Sequence, residues 1–381
     1  MLNETACDQL RRLEIIPLED EAFATAPGSG RLFHLNATAR IVADLLKSGI
    51  PLDELAQTFA ETHCVPPSQV MLDVETLVHT MITDQSEADS PDQSVSLAVP
   101  LFPEPTMAAA YRLFGHVVRV EYPTADVATT CGPLLAPMAV PLDTPNDLLV
   151  TYKEIDGSYE VACGSATVRV PRAGWSAFVG LQRAVLCHDV RDPGPYQTVL
   201  HGGAVVGRNG AWLIGGASGR GKSTLVARLD AAGLRVLGDD LVPLAPEDGR
   251  AFPFAMALSI KEGGWSVVRA FRPDVMKSPP QITRIGKTVR YVAPINGPLD
   301  EDRQGQPVAG LLLPRRTVGA DPTIKPIGLK QAMIGLCDRF GRFPVEPREL
   351  RSLVSLAARI PRYELVYDDF GDLLPGLLGL L

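Results

Sequence analysis

Gly216-Ala217-Ser218-Gly219-Arg220-Gly221-Lys222-Ser223 decides how the rest of the chain is read. The octet fits the P-loop pattern, a glycine, four residues, then Gly-Lys-Ser. Glycines suit it because main-chain N–H groups can wrap phosphates only at backbone angles and distances that a Cβ would obstruct. Immediately before it an apolar strand ends at Ile214, and Thr224 to Ala232 reads as the following helix. The start of that helix adds the positive end of its dipole to the site. Residues Gly216 to Thr224 are therefore the expected nucleotide-binding set, with Lys222 reaching the β- and γ-phosphates and Ser223 offering its hydroxyl to Mg²⁺. Further upstream, Ala204 to Val206 and Ala211 to Ile214 flank Arg208-Asn209-Gly210. Asn-Gly is a tight-turn signal, so an antiparallel hairpin is predicted to feed the loop.

Downstream, the helix stops at Gly233, and Leu234-Arg235-Val236-Leu237-Gly238 reads as a second strand delivering Asp239-Asp240. A carboxylate at that strand tip is where a phosphate-bound Mg²⁺ finds a second anchor. Two adjacent acids allow one to hold the metal while the other accepts a proton from an attacking hydroxyl. The plain alternative is a solvated Asp-Asp turn. His201, just ahead of the hairpin, reads by position alone as a half-buried histidine satisfied by backbone.

Composition narrows the partners. The chain has 381 residues, 46% hydrophobic and 21% charged, with a formal net charge of −8. That balance argues against nucleic acid or an anionic membrane as the main partner. No apolar run has the length of a membrane span, and the Leu373 to Leu381 segment is short and interrupted by Pro375. The N-terminal residues lack a basic stretch followed by an apolar one, so a cytoplasmic protein is expected. Six cysteines, at 7, 64, 131, 163, 187 and 337, show no metal-ligand spacing and read as isolated reduced thiols.

Four regions are predicted. Residues 1–83 form a small unit: strands at Leu13 to Leu18 and Arg31 to Leu35, a helix N-capped by Asn36, a second helix with Pro51 as its first residue, and a third from about Ser68. In the third, Val70, Val74, Leu77, Val78 and Met81 recur at helical spacing. Short strands followed by three helices suggest a winged-helix bundle. Residues 84–94 are polar and acidic and read as a linker. Residues 95–198 are β-rich, with short β-branched runs, an Asp156-Gly157 hairpin signal and a helix from about Trp175 to Cys187. Residues 199–381 mix strands and helices around the P-loop. There is no 20- to 50-residue repeat.

His201-Gly202, the hairpin, the loop and Asp239-Asp240, in this order and spacing, resemble the HPr kinase/phosphorylase family, over about residues 199 to 244. The variant His-Gly-Gly-Ala-Val-Val, then Gly-Lys-Ser-Thr-Leu, then Gly-Asp-Asp-Leu-Val, is closer to the HPr-kinase-like proteins of peptide-modification clusters, lasso-peptide kinases included. The resemblance implies an α/β P-loop core related to phosphoenolpyruvate carboxykinase, α+β over the whole chain, with ATP and Mg²⁺ as cofactors. It makes Asp240 the proton acceptor for a substrate hydroxyl, sets Asp239 with Ser223 at the metal, and turns His201 into an active-site residue beside the acids. A family metal-binding glutamate lies some twenty-odd residues past the acidic pair, and Glu262 is the nearest candidate. The phosphorylase-associated segment is not recognisable, which leaves the reverse, phosphate-removing reaction open. Arg315 and Arg316 read as a solvated pair rather than as phosphate ligands. HPr kinases assemble, which leaves a homo-oligomer open.

The N-terminal unit resembles the PqqD-like family over roughly residues 10 to 83, carried by Leu32-Phe33-His34-Leu35-Asn36-Ala37-Thr38-Ala39, the Leu45-Leu46 helix, the Pro51-Leu52-Asp53-Glu54-Leu55 helix start and the Val70-to-Met81 helix. That family adds a leader-peptide strand to an exposed sheet edge beside a helix. A winged-helix DNA reader fits less well, because the third helix has no Lys or Arg to meet phosphates.

Three readings follow. The first is a kinase acting on a Ser or Thr hydroxyl of a ribosomally made precursor peptide, held by its leader at the N-terminal domain. The second is a small-molecule or protein hydroxyl kinase with that domain as a docking module. The third is a non-catalytic, nucleotide-switched peptide-binding protein.

Overall fold

A computed structural model describes residues 13–25, 32–63, 66–83, 107–113, 115–172, 174–191, 198–283, 286–337 and 347–381. The 84–94 segment and the Pro27-Gly28-Ser29-Gly30 turn lie outside them. Two compact units emerge: Met1–Pro91 with Gly328–Ser355, and Asp92–Ile327 with Leu356–Leu381.

The first unit opens with β1 (Glu14–Leu18), β2 (Glu21–Thr25) and β3 (Leu32–Leu35), an antiparallel sheet in the order β1-β2-β3. The sequence reading passed over β2, because Ala22, Phe23, Ala24 and Thr25 are all buried and no alternation marks it. In α1 (Ala37–Lys47) the Asn36 side chain accepts from the Ala39 N–H at 2.8 Å, the cap its sequence suggested. The helix buries Val42, Ala43 and Leu46 against Ala22, Ala24 and Leu35. α2 (Leu52–His63) starts one residue later than expected, with the Pro51 carbonyl accepting from the Leu55 N–H. α3 (Pro67–Thr83) buries Val70 and Val74 in the same core.

In the second unit, β4 (Ala108–Leu113) and β5 (His116–Glu121) precede α4 (Ala125–Leu135), and β6 (Ala139–Val140) follows. Sequence reading missed α4 because Gly132 and Pro133 interrupt its pattern; Thr124 caps it through the Val127 N–H. β7 (Leu148–Ile155), β8 (Ser158–Cys163) and β9 (Ala166–Pro171) complete a sheet of order β6-β4-β5-β7-β8-β9. Asp156 (φ 49°) and Gly157 (φ 70°) make the predicted hairpin turn. α5 (Gly174–Arg191) follows, longer than the predicted helix at both ends.

A nine-stranded mixed sheet carries the candidate site. β10 (Thr198–Leu200) leads to the hairpin of β11 (Gly203–Gly207) and β12 (Gly210–Ile214). Gly207 pairs with Gly210, so the turn is Arg208-Asn209, one residue earlier than Asn-Gly predicts. Every residue of β12 is buried, as in a strand covered on both faces. After the Gly216–Ser223 loop come α6 (Lys222–Ala231), β13 (Arg235–Gly238), β14 (Val242–Ala245) and β15 (Arg250–Ala251). β16 (Leu258–Lys261), α7 (Trp265–Arg269), β17 (Gln281–Ile282) and β18 (Thr288–Val292) then bring in a small sheet of order β16-β18-β17. β19 (Gln306–Arg316) returns to the large sheet parallel to β12. β20 (Thr323–Pro326) follows, and the chain then leaves this unit.

α8 (Leu329–Cys337) and α9 (Pro347–Arg359), as far as Ser355, group with the first unit rather than with the P-loop region in which sequence order had set them. The chain comes back as β21 (Arg362–Tyr367), parallel to β19, and α10 (Leu373–Leu380). The parallel trio β12, β19 and β21 thus ends on one side, with the loop, Arg315-Arg316 and Tyr367 at its carboxyl edge. α6 packs Leu225, Val226 and Leu229 into a core shared with Trp212, Ile214, Leu312 and Tyr367.

Candidate functional site

The loop owes its shape to backbone angles that side chains resist. Gly216, Gly219 and Gly221 all have positive φ, at 116°, 89° and 101°. At Gly221 a Cβ would also lie 2.6 Å from the Tyr367 hydroxyl, so both strain and space require glycine there. Gly221 caps α6, which starts at Lys222, two residues earlier than predicted. Lys222 folds back over the loop, its ammonium donating to the carbonyl oxygens of Gly216 at 2.6 Å and Ala217 at 3.3 Å. Ser223 and Thr224 occupy the first turn of α6.

Opposite stands the acidic pair, at the tip of β13. Asp239 is buried, at 1% exposure. Its Oδ2 accepts from the Ser259 N–H at 3.1 Å. Burial, and next the neighbouring Asp240 charge, push its carboxyl up to about 6; the Ser259 N–H, a Ser223 hydrogen bond and the Lys222 charge pull the other way. Asp239 therefore meets the Ser223 hydroxyl and lies in the field of the Lys222 charge, so the three sequence-selected residues share one neighbourhood. A buried carboxylate next to a serine hydroxyl is a donor set suited to a hard divalent cation. Among the described residues no three His, Cys, Asp or Glu side chains group as a metal cluster. A cation held here would thus take most of its ligands from phosphate and water, as Mg²⁺ does.

Asp240 is half-buried and holds φ 79°, a left-handed conformation unusual for a non-glycine residue. His201 Nδ1 lies 3.1 Å from Asp240 Oδ1 and 3.0 Å from the Asp240 carbonyl oxygen. Both partners are acceptors, so Nδ1 carries the proton. Tyr291, on β18 across from Ser259, is buried and feels the Asp240 charge.

Glu262 opens the 3-10 turn after β16 and is exposed, and among the described residues it belongs to no group of three or more His, Cys, Asp or Glu side chains that could hold a metal ion. Its neighbour Lys261 reaches the loop, donating to Ser218 Oγ at 2.8 Å. Sequence reading gave Lys261 no role, and only its place beside Glu262 could have pointed to it. Tyr291 and Tyr367 carried no sequence signal. Arg315 forms a two-pronged pair with Glu364, at 2.9 and 3.1 Å, and Arg316 pairs with Asp368, so both arginines are engaged by local acids. A 730 Å³ cavity lined by Arg208, Leu234, Arg235 and Leu378 lies at the hairpin end of β12, away from the loop.

In the first unit, β1 and β3 are the outer strands of the sheet. Glu14 of β1 pairs with Arg351 of α9. Lys330 of α8 spans Asp20 at 3.3 Å and Glu21 at 2.6 Å, and Glu21 also meets His34 Nε2 at 2.6 Å. β3, by contrast, is followed directly by α1. Residues 21–84 match the family model described as Coenzyme PQQ synthesis protein D (PqqD). That stretch takes in β2, β3 and all three helices, and it supports reading the N-terminal unit as a peptide-recognition domain. The PqqD-like unit includes both the buried strand β2 and the Asn36-capped helix. No curated protein matches the chain. Among the described residues no helix is long and apolar enough to cross a membrane.

Proposed function

We propose that this chain is an ATP- and Mg²⁺-dependent kinase that phosphorylates a Ser or Thr hydroxyl of a ribosomally made precursor peptide. One observation carries the reading: the Asp239 carboxyl meets the Ser223 hydroxyl at the start of α6 and feels the Lys222 charge, and Asp240 beside it is held by His201. The Gly216–Ser223 N–H groups and the Lys222 ammonium would hold the phosphates, and Ser223 with Asp239 would hold the metal. Bound Mg²⁺ supplies charge neutralisation across the phosphates. Asp240 takes the proton of the acceptor hydroxyl while the acceptor oxygen forms a bond to the γ-phosphorus. The bridging P–O bond breaks, and its electron pair leaves with ADP. His201, donating to Asp240, fixes the carboxylate for that proton transfer.

The PqqD-like unit supplies the substrate. A leader segment adds as a strand to β3, since α9 engages β1 through Arg351 and Glu14. Binding the leader raises the local concentration of the core peptide at the acids. The test compares full-length precursor with a leaderless core peptide. The reading expects phosphorylation of both at high concentration, with the full-length peptide favoured at low concentration. Equal rates at every concentration would remove the N-terminal unit from substrate recognition.

A further inference from the structure

The loop receives a second cation that does not come from its own motif. Lys261 ends β16, and its ammonium donates to Ser218 Oγ at 2.8 Å. Two residues earlier on that strand, the Ser259 N–H donates to Asp239 Oδ2 at 3.1 Å. Both contacts come from one short strand, the first through the Lys261 side chain and the second through the Ser259 main-chain N–H. The strand thereby ties Asp239 to the crest of the loop. The turn that follows also stays close to α6: a Cβ at Gly264 would lie 3.2 Å from Thr224 Oγ1.

We propose that Lys261 is a phosphate-binding residue for the terminal phosphate of a nucleoside triphosphate, a role that rests on the kinase reading above. Lys222 sits at the base of the loop, bonded to the Gly216 and Ala217 carbonyls, and meets the phosphate chain from within. Lys261 meets it from β16, the strand that also holds Asp239 of the acid pair. A serine hydroxyl is a modest partner for an ammonium, and a phosphate oxygen is a stronger one. As the bridging P–O bond breaks, negative charge moves onto the leaving oxygen and spreads over the phosphoryl oxygens; two fixed cations flanking that charge lower the barrier. Lys261 exchanges no proton or electron pair in the step.

Because ADP lacks the terminal phosphate, discrimination between ATP and ADP reads Lys261 directly, without any turnover. Calorimetry with Mg-ATP and Mg-ADP is run on the full-length wild type, Lys261→Met, Lys261→Arg and Lys222→Ala, with circular dichroism to check folding. Lys261 is exposed, so the methionine variant is expected to fold normally. Lys261→Met should weaken ATP binding about 10-fold or more and leave ADP within about twofold, the size of one lost charged hydrogen bond. Lys261→Arg should restore most of the ATP preference, and Lys222→Ala should weaken both nucleotides. Equal losses for ATP and ADP in Lys261→Met, or no loss in either, would overturn the assignment while leaving the kinase reading intact. Wild-type protein that binds neither nucleotide would overturn both.

Discussion

His201 Nδ1 donates to both the carbonyl oxygen and Oδ1 of Asp240, at 3.0 and 3.1 Å. The ring therefore fixes the backbone and the carboxylate of a residue whose φ of 79° is unfavourable on its own. Asp240→Asn keeps a side chain that tolerates this conformation but cannot take up a proton in the same way. It should leave Mg-ATP affinity within about threefold and reduce phosphoryl transfer by about 100-fold or more. His201→Ala should fall between that variant and wild type. Peptide modification that survives Asp240→Asn at full rate would separate Asp240 from the chemistry.

Asp239 predicts a pH signature. Its carboxyl is raised in the folded protein to about 6, so it ionises more readily in the unfolded chain. Stability linked to this group is fully present below the ordinary aspartate range and is lost as pH rises toward and through about 6. Asp239→Asn removes that loss. In nucleotide-free protein the melting temperature of the variant should exceed that of wild type at pH 8, by an amount reflecting roughly 3 kcal/mol, and the gap should close toward pH 4. The same variant should lose Mg²⁺-dependent nucleotide affinity. A gap that stays constant across the pH range would show that burial does not tune Asp239.

Tyr367 is fully buried, and its hydroxyl has no hydrogen-bond partner among the described residues. An unpartnered buried hydroxyl costs about 1–3 kcal/mol, so Tyr367→Phe should be neutral or stabilising in urea melts. Gly221→Ala, by contrast, drives a methyl into that hydroxyl at a positive φ and should abolish nucleotide binding even if the protein folds. A large destabilisation by Tyr367→Phe would mean the hydroxyl does find a partner.

Asp230 is a structural acid rather than a chemical one. At the end of α6, fully buried, it accepts from Arg272 at 2.6 Å, from the Ile295 N–H at 2.9 Å and from the Asn296 N–H at 2.8 Å. Asp230→Ala leaves Arg272 with Asp274 and the Ala293 carbonyl but removes the acceptor shared by Arg272 and the Ile295 and Asn296 N–H groups, and should cost about 3–5 kcal/mol in chemical denaturation. A cost under about 1 kcal/mol would show that the network relaxes around the loss.

The loop, its feeding hairpin and the acid-bearing strand were legible because each is local: glycine spacing, an Asn-Gly turn and an apolar run do not depend on distant residues. The Asn36 cap was legible for the same reason. Strand β2 was not, since Ala22 to Thr25 are buried on both faces and carry no alternation. Nor was the association of residues 328–355 with the N-terminal unit, which depends on pairs such as Lys330 with Glu21, more than 300 positions apart. Lys261 and Tyr367 reach the loop only through sheet pairing, which no short stretch of sequence encodes. Glu262, which the resemblance suggested, lies one residue beyond the strand end whose lysine reaches the loop.

The central claim is phosphoryl transfer from a nucleotide gripped by this loop to a peptide hydroxyl. Incubating the full-length chain with ATP, Mg²⁺ and a precursor peptide encoded beside it, then weighing the peptide by mass spectrometry, tests it most directly. The account predicts a gain of one phosphate on a Ser or Thr, absent with Lys222→Ala and with Asp240→Asn. An unchanged peptide mass, under conditions where the wild type binds both the nucleotide and the peptide, would contradict it.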